Sequence, residues 1–247
     1  MLFSKEELRR LIVPLMIEQI LAVTIGMADT MMVANVGEAA VSGVSLVDSI
    51  NILLINIFSA MATGGAVVAS QYIGRQDRQN ACSAAKQLIY SSAFIALLLG
   101  LLALVGGEHL LRLVFGSVDA DVMAYAETYF WLSALSYPFL AVYNAGAALF
   151  RSMSNSSISM KTSILMNIIN IGGNALLIYG FGMGVVGAAL ATLIGRVFAA
   201  VWILWQNQNI HNPLRVAGFA DLRPRKEPIM KVLAIGVPSG LENGVFQ

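Results

Sequence analysis

A long apolar segment near the start of the chain, Leu11–Val36, is the strongest constraint on the fold, because it contains Pro14, Glu18 and Asp29. An ionisable side chain at membrane depth costs about 2.5–3.5 kcal/mol to insert, so it marks a functional position by default. Eleven residues separate Glu18 from Asp29, which places them within about 20° of one helical face and about 16 Å apart along the axis. The segment predicts a membrane helix whose acidic stripe faces a polar cavity, or whose acids snorkel or cap near an interface.

Composition places the whole chain in the membrane. Of 247 residues, 57% are hydrophobic and 12% are charged, with a mean hydropathy of +0.74, whereas a soluble domain carries about 25% charged residues. The net charge of +1 argues against a nucleic-acid partner. Neither a phosphate-binding glycine loop, nor a His/Cys metal set, nor a nucleophile with a base is found. We expect no enzyme activity, no metal and no cofactor. If the chain transports a solute, the energy would therefore come from an ion gradient and not from nucleotide hydrolysis on this chain.

Six apolar segments and the opening of a seventh predict an all-α integral membrane fold. The six are Leu11–Val36, Val44–Ile73, Leu88–Val105, Ala124–Phe150, Thr162–Phe181 and a run that ends near Trp205. Turns are expected at Gly37–Gly43 and Gly180–Gly187, and an amphipathic patch in the membrane interface at Leu110–Phe115. The predicted domains are a six-helix lobe over 1–206, a cytoplasmic linker over 207–228 and the start of a seventh helix over 229–247.

Basic residues alternate between the connections and predict the orientation. One set of connections carries Lys5, Arg9, Arg10, Arg75, Arg78, Lys86, Arg151, Lys161, Arg215, Arg223, Arg225, Lys226 and Lys231, and the other carries only Arg112. Because cytoplasmic loops are enriched in Lys and Arg, the N-terminus is predicted to be cytoplasmic.

An internal repeat predicts a second lobe. Pro14 is followed by Glu18 and an amide, and Pro238 is followed by Glu242 and Asn243 at the same spacing. Six spans separate the copies, as in parallel repeats related by an axis along the membrane normal. The chain stops at Gln247 within an apolar run, so we expect a fragment of a longer, two-lobe protein.

Two helices carry aligned polar residues. Asn167, Asn170 and Asn174 share one face of the fifth span, and Ser133, Tyr137 and Asn144 share one face of the fourth. The three amides either hydrogen-bond between helices or face Asp29 and help to bind a proton, a cation or water. Aligned polar residues on two helices favour a polar interior.

Span six combines small residues with one base. Gly187, Ala191 and Gly195 recur every four residues, which predicts close helix packing. Arg196 either pairs with an acid or snorkels to the interface.

Three stretches together resemble the multidrug and toxic compound extrusion (MATE) transporters. They are the Asp motif Met27–Gly37, the sequence Gln71–Arg75 after the second span, and Asn170–Gly180 with its continuation Gly184–Thr192. The resemblance covers essentially the whole chain as an N-terminal lobe and the start of helix seven. It implies twelve helices in two lobes around a V-shaped cleft, and antiport of organic cations or drugs against H⁺ or Na⁺.

The resemblance also implies site residues. Asp29 would be the coupling carboxylate of the lobe, with Asn170 and Asn174 near it. One branch of the family has Asp where Asn174 stands, so a two-Asp proton switch is not carried over to this chain. We treat Glu18, Asn167, Ser133, Tyr137, Asn144 and Glu242 as candidates for lining the cavity or binding substrate.

The sequence therefore favours an ion-coupled antiporter of the cell membrane, acting on small cationic or amphipathic molecules. Two alternatives stay open. A lipid-linked oligosaccharide flippase would favour a cleft richer in arginine than this one, and a truncated membrane protein would not transport at all.

Overall fold

Six long helices make up the described part of the chain, in a computed structural model that covers residues 5–116, 118–210, 212–216 and 230. They are α1 (Lys5–Ala34), α2 (Glu38–Gly74), α3 (Arg78–Phe115), α4 (Ala120–Ser152), α5 (Ser156–Asn174) and α6 (Gly184–Asn207). A π-helical segment, Ala175–Gly180, continues α5. The described residues contain no strand, so the predicted all-α fold is confirmed.

The helices extend further than the apolar runs predicted. Helix α2 begins at Glu38, so the expected turn over Gly37–Gly43 is wrong. The Leu110–Phe115 patch is the last part of α3. The expected Gly180–Gly187 turn is also too long, because α6 already begins at Gly184. Hydropathy detects the segment at membrane depth, whereas backbone hydrogen bonding continues into the amphipathic ends.

Five helices are long and apolar enough to span a membrane by length and composition, namely α1, α2, α3, α5 with its π-helical end, and α6. Helix α4 does not belong to this group, but it lies at the centre of the bundle and packs against α2, α3 and α6. Its core residues include fully buried Tyr137 and Phe150. Polar residues such as Ser133 and Ser136 are tolerated on this helix because neighbouring helices, not lipid, surround them.

Helices α2 and α4 approach each other closely at Gly43. A Cβ atom built on Gly43 would lie 2.7 Å from the Val122 carbonyl oxygen and 2.9 Å from the Ala126 nitrogen. Helices α5 and α6 make a similar contact, because a Cβ on Gly173 would lie 2.9 Å from Ala191 Cβ, and one on Gly195 would lie 3.2 Å from the Met166 carbonyl oxygen. The predicted role of the small residues of α6 in close packing is confirmed.

The outer surface is apolar where lipid is expected. From Phe94 onward α3 exposes Leu97, Leu98, Leu101, Leu102 and Val105. Helix α1 exposes Met16, Ile20, Val23, Met27 and Met31 and packs mainly against α5. The seventh-helix prediction, Glu242 and most of the predicted linker lie outside the described residues.

Candidate functional site

Asp29 lies in the contact between α1 and α5. Val33, one turn further along α1, is almost fully buried, which shows that this face of the helix is turned inward. Asn174, which has no exposed surface, donates a hydrogen bond from Nδ2 to Asp29 Oδ1. The predicted proximity of Asn174 to Asp29 is therefore present in the structure.

Asn170 stands one turn before Asn174 and joins α5 to α6. Its Nδ2 donates to Thr192 Oγ1 at 3.0 Å, across the interface that Gly173, Ala191 and Gly195 bring together. The Oδ1 atoms of Asn170 and Asn174 are both buried without a hydrogen-bond partner in the protein. One of these two acceptor oxygens belongs to the Asn174 amide that contacts Asp29, and the other lies one turn away on α5.

A second carboxylate, Asp48, belongs to the same region but comes from α2. Asn51 Nδ2 donates to Asp48 Oδ1 at 3.3 Å, and Tyr137 donates from its hydroxyl to Asn51 Oδ1 at 2.9 Å. The Tyr129 hydroxyl lies within hydrogen-bonding reach of both Asp48 and Thr192. A network of polar contacts therefore extends from α2 through α4 to α6.

Arg196 is the base of this region and points into the bundle. Its guanidinium donates to Ser136 Oγ at 2.5 Å, and it is close enough to Asp29 and Asp48 to interact electrostatically with both. Among the described residues Arg196 forms no ion pair within 4 Å, so its charge acts on the two carboxylates at longer range. Desolvated carboxylates need such a compensating charge.

Glu18 belongs to a separate group near the middle of α1. Its Oε2 atom lies 3.7 Å from an Arg151 guanidinium nitrogen, and the two side chains are 12% and 25% exposed respectively. Ser159 of α5 lies beside the Glu18 carboxylate, and Tyr143 of α4 lies near both charged groups. The structure thus places the two acids of α1 against the same helix, α5, but in different polar clusters.

The other predicted residues are distributed as follows. Ser133 and Tyr137 are buried on α4, and Asn167 is buried on α5. Asn144 and Asn167 both have a buried Nδ2 atom without a partner. Sequence reasoning missed Asp48, Tyr129 and Thr192. Asp48 could have been found by the rule that singled out Asp29, since it is also an acid within an apolar run.

Buried carboxylates, amides and an arginine inside a bundle of apolar helices are typical of membrane proteins with an internal ion or substrate pathway. The MatE family model matches residues 14–176. The chain belongs to this family, and is therefore a multi-pass membrane protein of the MATE transporters.

Curated relatives and solved structures agree with this assignment. The chain is 31% identical over 237 residues to the uncharacterized transporter YisQ of Bacillus subtilis, covering 93% of this chain and 50% of YisQ. It is 28% identical to the probable multidrug resistance protein NorM of Thermotoga maritima, covering 98% of this chain and 52% of NorM. A MOP superfamily transporter from Pyrococcus furiosus has the same fold, with a TM-score of 0.88 at 22% identity over 97% of this chain and 52% of that one. The chain spans about half the length of the relatives it matches.

Proposed function

We propose that this chain is the N-terminal lobe of an antiporter that exports organic cations or drugs in exchange for H⁺ or Na⁺. The observation that carries the proposal is the buried Asp29 carboxylate, which accepts from Asn174 while the amide oxygens of Asn170 and Asn174 lack donors. Carboxylate and amide oxygens are the ligands that hard cations prefer, and a proton on Asp29 would supply a donor to such an acceptor.

Binding of the coupling ion to Asp29 would change the contact between α1 and α5. A proton or a sodium ion on the carboxylate would compete with the hydrogen bond from Asn174, which weakens the contact between α1 and α5. Helix α1 contains Pro14, which removes one backbone hydrogen bond and favours a bend there. Ion binding would thereby shift the balance between two positions of α1, and this balance is what an antiporter must couple to its substrate.

The substrate class follows from the relatives and from the chemistry of the chain. NorM is named as a probable multidrug resistance protein. The cluster around Asp29 contains two acids and one base, Asp29, Asp48 and Arg196, and its formal negative charge favours cationic substrates. The partners would be a small cationic or amphipathic molecule, the lipid bilayer and a second lobe that completes the cleft.

The distribution of basic residues supports a location and an orientation. We expect a multi-pass protein of the plasma or inner membrane with a cytoplasmic N-terminus, since Arg75, Arg78 and Arg151 lie at connections on that side. Fusion of reporter domains to the α2–α3 and α3–α4 connections would measure this orientation directly.

The test is the Asp29→Asn substitution, made in the full-length protein that the native reading frame encodes. Because Asn keeps the shape and loses the charge, we expect loss of cation efflux from cells and of antiport in proteoliposomes. Asp121→Asn, at the exposed first turn of α4, is the matched control and should retain activity. Imposing a pH gradient and a sodium gradient separately identifies the coupling ion. Unchanged efflux by the Asp29→Asn protein would remove this carboxylate from the mechanism.

A further inference from the structure

The buried face of α5 consists entirely of polar residues. Every residue of this helix that is buried is Ser, Thr or Asn: Ser156, Ser159, Thr162, Ser163, Asn167, Asn170 and Asn174. A helix packed in a bundle normally turns its apolar stripe inward. Amides and hydroxyls contribute only about 0.6 kcal/mol each when they hydrogen-bond between membrane helices. Packing alone therefore gives little reason for a face of this composition.

Six of these residues form one continuous line, from which Thr162 is displaced. At 100° per residue the six lie within an arc of about 80° and extend over about 27 Å of the helix axis. Successive members are three or four residues apart, which separates their Cβ atoms by about 5–6 Å. One water molecule can span such a gap, because each of its hydrogen bonds covers about 2.8 Å. We call these six residues the α5 polar track.

The track connects the two carboxylates of α1. Ser159 lies beside the Glu18 carboxylate, and Asn174 donates to Asp29. Helices α1 and α5 therefore run in the same direction along their contact, and no other acid lies between Glu18 and Asp29 on α1. Arg151, which pairs with Glu18, is 25% exposed, so the Glu18 end of the track lies near the surface of the protein.

Several polar atoms along this line have no partner in the protein. They are Glu18 Oε1, Ser156 Oγ, Asn167 Nδ2, Asn170 Oδ1 and Asn174 Oδ1, each buried. Buried polar groups are almost always hydrogen-bonded, and ordered water supplies the bond where protein does not. The set contains both donors and acceptors, and water molecules between them can bond to either kind.

We propose that the α5 polar track is a hydrated proton path that links Glu18 to Asp29. The inference rests on the proposed function, with a proton as the coupling ion. A proton leaving the Asp29 carboxyl passes to the adjoining water, each water passes on one proton, and the Glu18 carboxylate receives one and releases it to solvent. Only O–H bonds are made and broken. Each water molecule gains one proton and loses one, and then rotates back to its original orientation.

The charges around both ends are compatible with this transfer. Arg151 and Tyr143 from α4 and Ser159 from α5 face Glu18. Asn174 from α5, Asp48 from α2 and Arg196 from α6 face Asp29. Each carboxylate thus has one arginine nearby as a counter-charge. Arg151 contacts Glu18 Oε2, which leaves Oε1 as the atom available to the track.

The experiment measures proton release after rapid addition of an organic cation to the purified native protein in detergent, with a pH-sensitive dye. We expect Asn167→Leu to slow proton release at least tenfold without changing the number of protons released. The substitution removes one polar side chain of the α5 polar track and leaves Asp29 in place. Ser163→Ala is a second, smaller interruption and should slow release in the same direction if the Asn167→Leu protein does not fold. Asn167→Ser retains a polar group and should restore much of the rate.

Thr162→Val is the matched control on the same helix. Thr162 is fully buried, but it lies off the track and its hydroxyl already donates to the Ile158 carbonyl at 2.8 Å. A normal rate in Thr162→Val with a slow rate in Asn167→Leu supports the path. Equal rates in Asn167→Leu, Ser163→Ala and the native protein would overturn it.

The failure of this inference is distinguishable from the failure of the proposed function. If Asp29→Asn abolishes proton release while the track variants release protons at the native rate, the path is wrong and Asp29 remains the coupling site. If release persists in Asp29→Asn, the proposed role of Asp29 fails. If the native protein transports a cation on a sodium gradient and releases no proton, the path is overturned and antiport stands.

Discussion

The ion pair between Glu18 and Arg151 should contribute measurably to stability, and its two partners should contribute unequally. At 3.7 Å and an effective dielectric constant of 20, the attraction amounts to about 4.5 kcal/mol. Arg151 is one quarter exposed, so water screens part of this attraction. We expect a coupling energy of about 2 kcal/mol in the free energy of unfolding.

The asymmetry follows from what each substitution leaves behind. Glu18→Gln leaves an arginine that can turn toward solvent and should cost about 1 kcal/mol. Arg151→Met leaves a desolvated carboxylate without a counter-charge and should cost about 3 kcal/mol. The double variant removes both charges and should be more stable than Arg151→Met alone.

A double-mutant cycle measures this coupling, by reversible unfolding of the purified protein in mixed detergent micelles. The reasoning is refuted if the two substitutions are additive within about 0.5 kcal/mol, or if Glu18→Gln costs more than Arg151→Met. Additivity would mean that the two side chains are not energetically coupled in the folded protein, and a larger cost for Glu18→Gln would mean that the unpaired arginine is costlier than the unpaired carboxylate.

Three further predictions concern packing, hydrogen bonding and pH. Gly43→Ala should lower the free energy of unfolding by about 1–3 kcal/mol, because the new methyl group meets backbone atoms of α4 that no rotamer change can move. Gly26→Ala is the control: no atom lies within 4 Å of its new Cβ, so it should be neutral or stabilising when unfolding is measured in the same way. Tyr137→Phe should cost about 1–3 kcal/mol in unfolding free energy, because it leaves the buried Asn51 Oδ1 without its donor. Two hydrogen bonds from Asn80, in the first turn of α3, hold the pKa of Asp77 below its ordinary value. The helix cap should therefore be intact at any pH above the ordinary pKa and should be lost as the pH falls through the lowered one. Its loss would be measured as faster amide exchange at the start of α3.

Different results would contradict each of these predictions. Equal effects of Gly43→Ala and Gly26→Ala would show that α2 and α4 are not in backbone contact at Gly43. A neutral Tyr137→Phe would mean that Asn51 obtains its donor elsewhere. Exchange at the start of α3 that is the same in native and Asp77→Ala proteins at neutral pH would exclude the cap.

Much of the fold could be predicted because the relevant patterns are local. The apolar runs located all six helices, and the four-residue spacing of Gly187, Ala191 and Gly195 predicted a close contact. Helix geometry alone places residues three and four apart on one face. The ends of the helices were predicted less well, since hydropathy changes at the membrane boundary while helical hydrogen bonding continues.

The candidate site shows where prediction from the sequence stops. Asp29, Asn170 and Asn174 were found because the first is an acid at membrane depth and the others share one helical face. Asp48 and Tyr129 were missed as site residues. Their importance depends on contacts between α2, α4 and α6, and the sequence does not specify how these helices are rotated about their axes.

The sequence by itself determined that this chain enters the membrane, how many apolar segments it has, and that acids occupy one face of α1. The tertiary structure decided which distant groups face those acids, Arg151 for Glu18 and Asn174 for Asp29. The physical reason is that the spacing along one helix follows from its fixed geometry, whereas the partner across a helix contact depends on the packing of all six helices together.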